Sequence, residues 1–118
     1  MTVCETYVGD LDAPPFSWDG GDWNSNCPQA ISTLFPPQRS HYNAAFHAFI
    51  KEHDLEFRQT DYGCWVARVT RDQIVEFIAS TYEGCDDLPW VRETLPKIRQ
   101  QVVGLNPTKL YALVAREF

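Results

Sequence analysis

The first 38 residues contain no lysine and no arginine. They hold five acids, Glu5, Asp10, Asp12, Asp19 and Asp22, whereas the remaining 80 residues carry 11 acids and 10 bases, so nearly all of the net charge of −6 sits in the first third of the chain. A surface built from that third cannot grip phosphates, which need Lys and Arg, and this argues against direct nucleic-acid binding there. A one-signed field does attract opposite charge and speeds encounter with a basic partner.

Other absences narrow the reading further. No apolar run approaches the roughly 18 residues that span a bilayer. The start, MTVCETYVGD, has no basic cluster and no long apolar stretch, so no secretory signal is expected and the location read from the sequence is cytoplasmic. There is no G-x-G-x-x-G and no G-x-x-x-x-G-K-[ST], and the run DGGD would repel phosphate. The four cysteines, Cys4, Cys27, Cys64 and Cys85, form no C-x-x-C pair of the kind that starts a zinc site cheaply, so reduced and mostly buried thiols are expected. Repeats, low-complexity tracts and linkers are also missing, and at 118 residues one domain, 1–118, is expected.

What is there reads as α+β. Residues 2–8, TVCETYV, are rich in β-formers and predict a strand ended by Gly9. A long loop follows over 10–27. Pro28 can open a short helix over 28–34, with Asn26 or Cys27 near its cap, stopped by Pro36 and Pro37. Ser40 is the expected N-cap of a helix over 41–53, whose Tyr42, Ala45, Phe46, Phe49 and Ile50 make one apolar stripe. The segment LEFRQTDYGCWVARV alternates on either side of TDYG and predicts a β-hairpin turning at Gly63. Thr70 and Gln73 form a capping box for a second helix, which Gly84 ends. Asp86 or Asp87 caps a third, with a break at Pro96 and a Schellman ending at Gly104 and Leu105. A last strand over 109–117 is apolar on both faces and should be central. The expected architecture is a single α+β domain of about four strands, mostly antiparallel or mixed, with three to four helices mainly on one face.

Motifs that carry chemistry are weak. Asp22, Asn24 and Asn26 resemble the start of an EF-hand loop, but Cys27 stands where glycine is needed and Thr33 where a bidentate Glu is needed. Cys27 at a helix N-terminus, with His41 or His47 brought near by the fold, would be a candidate nucleophile, although its acidic surroundings disfavour a thiolate. His41, His47 and His53 are six residues apart and share no helix face. Asp19 and Asp22, in a glycine-broken loop, lack the fixed separation of a hydrolytic carboxylate pair. Hence no metal, cofactor or catalytic residue is expected.

The remaining candidate is recognition. The run PPFSWDGGDWNSNCP, residues 14–28, sets three aromatics among aspartates, a composition suited to an interface with a basic partner. The expected partner-binding set is Phe16, Trp18, Asp19, Asp22 and Trp23, with Asp10 and Asp12. The expected function is that of a non-enzymatic acidic binding protein or inhibitor occupying a basic surface of a protein or protein complex. By analogy of size and charge, that suits an immunity protein against a toxin or a phage-encoded inhibitor of a nucleic-acid-handling defence complex. The alternatives are a small enzyme or ligand binder with a cleft near Cys27 and a histidine, and a carbohydrate-binding module stacking sugars on Trp18 and Trp23.

Overall fold

The computed structural model describes residues 3–23, 26–39, 44–81 and 89–117. Five strands form one antiparallel sheet: β1 (Val3–Asp10), β2 (Gln29–Arg39), β3 (Phe57–Asp61), β4 (Cys64–Thr70) and β5 (Leu110–Glu117), in the spatial order β2-β1-β5-β4-β3. The helices are α1 (Ala44–His53), α2 (Arg71–Thr81), α3 (Pro89–Glu93) and α4 (Leu95–Val103). No described helix is long and apolar enough to cross a membrane.

Strand β5 is central, as its two apolar faces require. Tyr111, Leu113 and Ala115 join the helix-side core, while Ala112 and Val114 join a second cluster on the opposite face. The hairpin forms as expected, with Gly63 at φ +74°. A Cβ there would stand 2.6 Å from the Glu117 carbonyl oxygen, so the position requires glycine for space as well as for conformation. The capping box is complete: Thr70 N–H donates to Gln73 Oε1 at 2.9 Å, and Gln73 N–H to Thr70 Oγ1 at 3.2 Å. The third helical segment breaks at Thr94, with Pro96 in the first turn of α4, where its missing N–H does no harm.

Four expectations fail. The helix expected over 28–34 does not form: Gln29–Arg39 is a strand, which makes the sheet five-stranded. The prolines stop nothing: Cys4 pairs with Gln38 and Thr6 with Phe35, so Pro36 and Pro37 form a bulge on an edge strand, where the absent N–H is tolerated. Gly9 lies inside β1, and its missing Cβ, which would meet Pro28 Cβ at 2.8 Å, lets the chain returning into β2 approach closely. Gly104 has φ −76°, a right-handed value, so the ending is not a Schellman motif, although Leu105 still packs against the core. The expected caps Ser40, Asp86 and Asp87, the stripe residue Tyr42 and the helix stop Gly84 lie outside the described residues.

Candidate functional site

The helices cover only one face of the sheet. On the other, Tyr7, Val66, Ala112 and Val114 make an apolar strip, and the described parts of the long β1–β2 connection, residues 11–23 and 26–28, lie across it. Phe16 drops into that strip with 4% of its surface exposed, and Leu11, Trp18 and Cys27 pack beside it. Tyr7 anchors the returning end by donating its hydroxyl to the Pro28 carbonyl at 2.8 Å. Burial, reinforced by the Cys27 and Cys64 sulfurs, pushes the Tyr7 phenol above its ordinary pKa, so it stays a donor. At the far end Gly21, at φ +72°, reverses the chain. Asp22 Oδ1 then accepts the Gln59 N–H at 2.9 Å, and Trp23 donates its N–H to the Gln59 carbonyl at 2.6 Å. Gln59 belongs to the edge strand β3, so the arm occupies polar groups that would otherwise invite another strand.

The residues expected to bind a partner therefore divide. Phe16 is a core plug. Trp18 is half-buried under two guanidinium groups, Arg58 at 4.5 Å and Arg68 at 4.9 Å from its ring centroid, so it is not a free platform for a sugar. Asp10 and Asp12 face Lys109 at 3.8 and 3.7 Å, and the fold thereby offsets part of a charge that looks uncompensated along the chain. Asp19 is exposed and lines a cleft of about 590 Å³ with Asp12, Trp18, Arg68 and Lys109; neither Cys27 nor a histidine lines it. The carboxylate of Asp22, first residue of the EF-hand-like run, is engaged by Gln59, and Asn24 lies outside the described residues.

Trp23 is different. Its backbone takes φ +63°, a left-handed value that costs a bulky residue about 1–2 kcal/mol. The two hydrogen bonds to Gln59 hold it there. The ring is 57% exposed and lies 6.4 Å, centroid to centroid, from Tyr62, itself 91% exposed at the tip of the β3–β4 hairpin. Asp22 precedes Trp23 and Asp61 precedes Tyr62; Asp61 Oδ1 accepts the Tyr62 N–H at 2.7 Å. Among the described residues, Asp19, Asp22 and Asp61 have no ion-pair partner. The sequence does not single out Asp61 and Tyr62, because TDYG reads as a turn; the available signal is a large aromatic at a turn tip.

Beneath the arm, Cys27 Sγ lies 2.7 Å from Cys64 Sγ and 4.0 Å from Thr60 Oγ1. Cys27 precedes a strand, so no helix dipole acts on it. The hydrogen bond between the two sulfurs lowers the Cys27 thiol pKa, with Thr60 adding to the effect and burial opposing it. The same bond, with burial, pushes Cys64 up. Neither described histidine can assist. His47 packs edge-on against Trp65, and His53 against Phe49 and beside Glu76 at 3.5 Å, both on the helix side of the sheet. His41 lies outside the described residues. Among the described residues no three or more His, Cys, Asp and Glu side chains come together to hold a metal ion. Comparison of the chain with protein-family models, with curated proteins and with solved structures found no match.

Proposed function

We propose that the protein is a binding module that masks a basic surface of a protein partner through the paired rings of Trp23 and Tyr62 and the carboxylates of Asp22 and Asp61. The observation that carries this reading is Trp23 itself. A large ring, on strained backbone, is held out in solvent against a second exposed ring and beside acids that have no ion-pair partner among the described residues, where a solvated loop would have no reason to hold it. Exposed aromatics anchor interfaces, and acids beside them set the sign of the partner and its encounter rate. Masking a cationic surface that handles nucleic acid would make the protein an inhibitor, with immunity or anti-defence activity as the corresponding roles. Trp18, Asp10 and Asp12 then support the arm, and Asp19 extends the acidic rim.

The test begins with a photo-cross-linking residue at position 62, introduced in the native host, to identify the partner in contact. Binding of that partner is then measured for Trp23→Ala and Asp61→Lys over a range of salt. Trp23→Ala should weaken binding by about 2 kcal/mol or more. Asp61→Lys should slow association, by a factor that shrinks as salt rises. Unchanged binding by both variants would move the interface off this patch.

A further inference from the structure

We infer that Cys27 and Cys64 form a thiol–disulfide exchange site, in which Cys27 attacks a low-molecular-weight disulfide and Cys64 resolves the mixed disulfide, tying the arm covalently to the sheet. The inference stands apart from the docking reading and rests on geometry. The sulfurs are 2.7 Å apart across 37 residues of sequence, whereas a disulfide bond is about 2.04 Å long. The two are unequal in access. Cys27 is partly exposed at the end of the arm, while Cys64 is 3% exposed in β4. An accessible attacking thiol in front of a buried resolving one is the arrangement that exchange requires.

The electrostatics fit the same roles. Cys64 can donate its S–H to Cys27, which favours the thiolate on the outer sulfur. Two charged groups act on the outer sulfur from the packed strands, and two further titratable groups lie beside them. Arg116 of β5 favours the thiolate and Asp61 of β3 opposes it. From β1, Glu5 holds Arg116 at 3.2 Å, and the Tyr7 phenol is kept neutral by burial.

The chemistry balances with a glutathione-class disulfide as oxidant. The Cys27 thiolate attacks one sulfur of the oxidant; the old S–S bond breaks and one small thiolate leaves. Cys64 gives its proton to that thiolate and attacks Cys27 Sγ, forming the intramolecular bond and expelling the second small thiolate, which takes up the other proton. Two protein thiols are oxidised by two electrons, and one small disulfide becomes two thiols.

The experiment equilibrates the protein with glutathione buffers of rising oxidised fraction, quenches in acid, alkylates, and reads intact mass and a peptide map. The wild type should lose two hydrogens without gaining an adduct, and the map should join Cys27 to Cys64. Cys64→Ala should stall with one glutathione on Cys27, and Cys27→Ser should leave Cys64 unmodified. A lasting adduct on Cys27 of the wild type, a bond to Cys4 or Cys85 instead, or no reaction where an unfolded cysteine peptide reacts would each overturn the inference. The wild-type map decides the matter even if a variant fails to fold.

Discussion

Asp22 accepts the backbone N–H of Gln59, 37 residues further along the chain, at 2.9 Å. This bond, with the reciprocal one from Trp23 N–H to the Gln59 carbonyl, turns a glycine-broken loop into a fixed element. It also gives Asp22 a structural duty, so charge reversal there would disturb the arm itself. Asp61 likewise accepts the Tyr62 N–H, so Asp19 is the cleaner position for testing charge.

Replacing Asp22 with Ala should therefore cost about 1 kcal/mol in urea unfolding, because an edge amide loses its acceptor. Asp22→Asn keeps an acceptor and should fall between the two. Hydrogen exchange at the Gln59 amide should quicken in the same order, and identical exchange in all three proteins would refute the tether.

The aromatics of the arm should separate by stability. Phe16→Ala should cost about 3–5 kcal/mol, as a buried ring is replaced by a cavity. Trp23→Ala, at an exposed ring, should change stability by no more than about 0.5 kcal/mol. Val114→Asp, which buries an unpaired charge at a fully enclosed site, should abolish cooperative melting. Equal losses for Phe16 and Trp23 would make both rings core.

Double-mutant cycles between Trp18→Leu and either Arg58→Gln or Arg68→Gln should return coupling of about 0.5–1 kcal/mol for each pair. Additive losses would mean that the guanidinium groups merely lie near the ring.

The rate of Cys27 alkylation should depend on pH with a midpoint at about 6, the value to which its neighbours lower the thiol. The thiolate is the reactive form, so the rate rises with pH through that midpoint and levels off before neutral thiols have begun to ionise appreciably. In Cys64→Ala, which removes the donor, the midpoint should move up toward the ordinary thiol range. Mass mapping of the alkylated peptide at each pH provides the measurement.

Much of the fold is written in local patterns. The alternation on either side of Gly63, the Thr70–Gln73 box, the stripe of Phe46, Phe49 and Ile50, and the doubly apolar run through Leu113 and Val114 each determine their element within a few residues. Strand β2 was unreadable because QAISTLF has no firm period and its prolines are acceptable only once an edge position is known, which depends on pairing with β1. The site was half-legible. The arm's composition singles it out as a candidate recognition element, but which ring faces out is decided by Gln59, Arg58 and Arg68, all distant in sequence. The compensation of Asp10 and Asp12 by Lys109, and the meeting of Cys27 with Cys64, are likewise products of topology that no local spacing encodes.

The place of β5 has a consequence for synthesis. It is the last strand in chain order, yet it alone hydrogen-bonds the β1–β2 pair to the β3–β4 pair. A nascent chain that has released only its first four strands holds two small ladders, each with an open edge and an apolar face. No strand pairing joins one to the other until residues 110–117 emerge. Since β5 must pair across the length of the chain, as between Cys4 and Glu117, closure is a late, long-range event and slow on topological grounds. The arm springs from the first ladder and grips the second at Gln59 and Cys64, so its docking waits for the same moment. Until then both ladder edges are open to other nascent chains, and that interval is when the molecule is most exposed to misassembly.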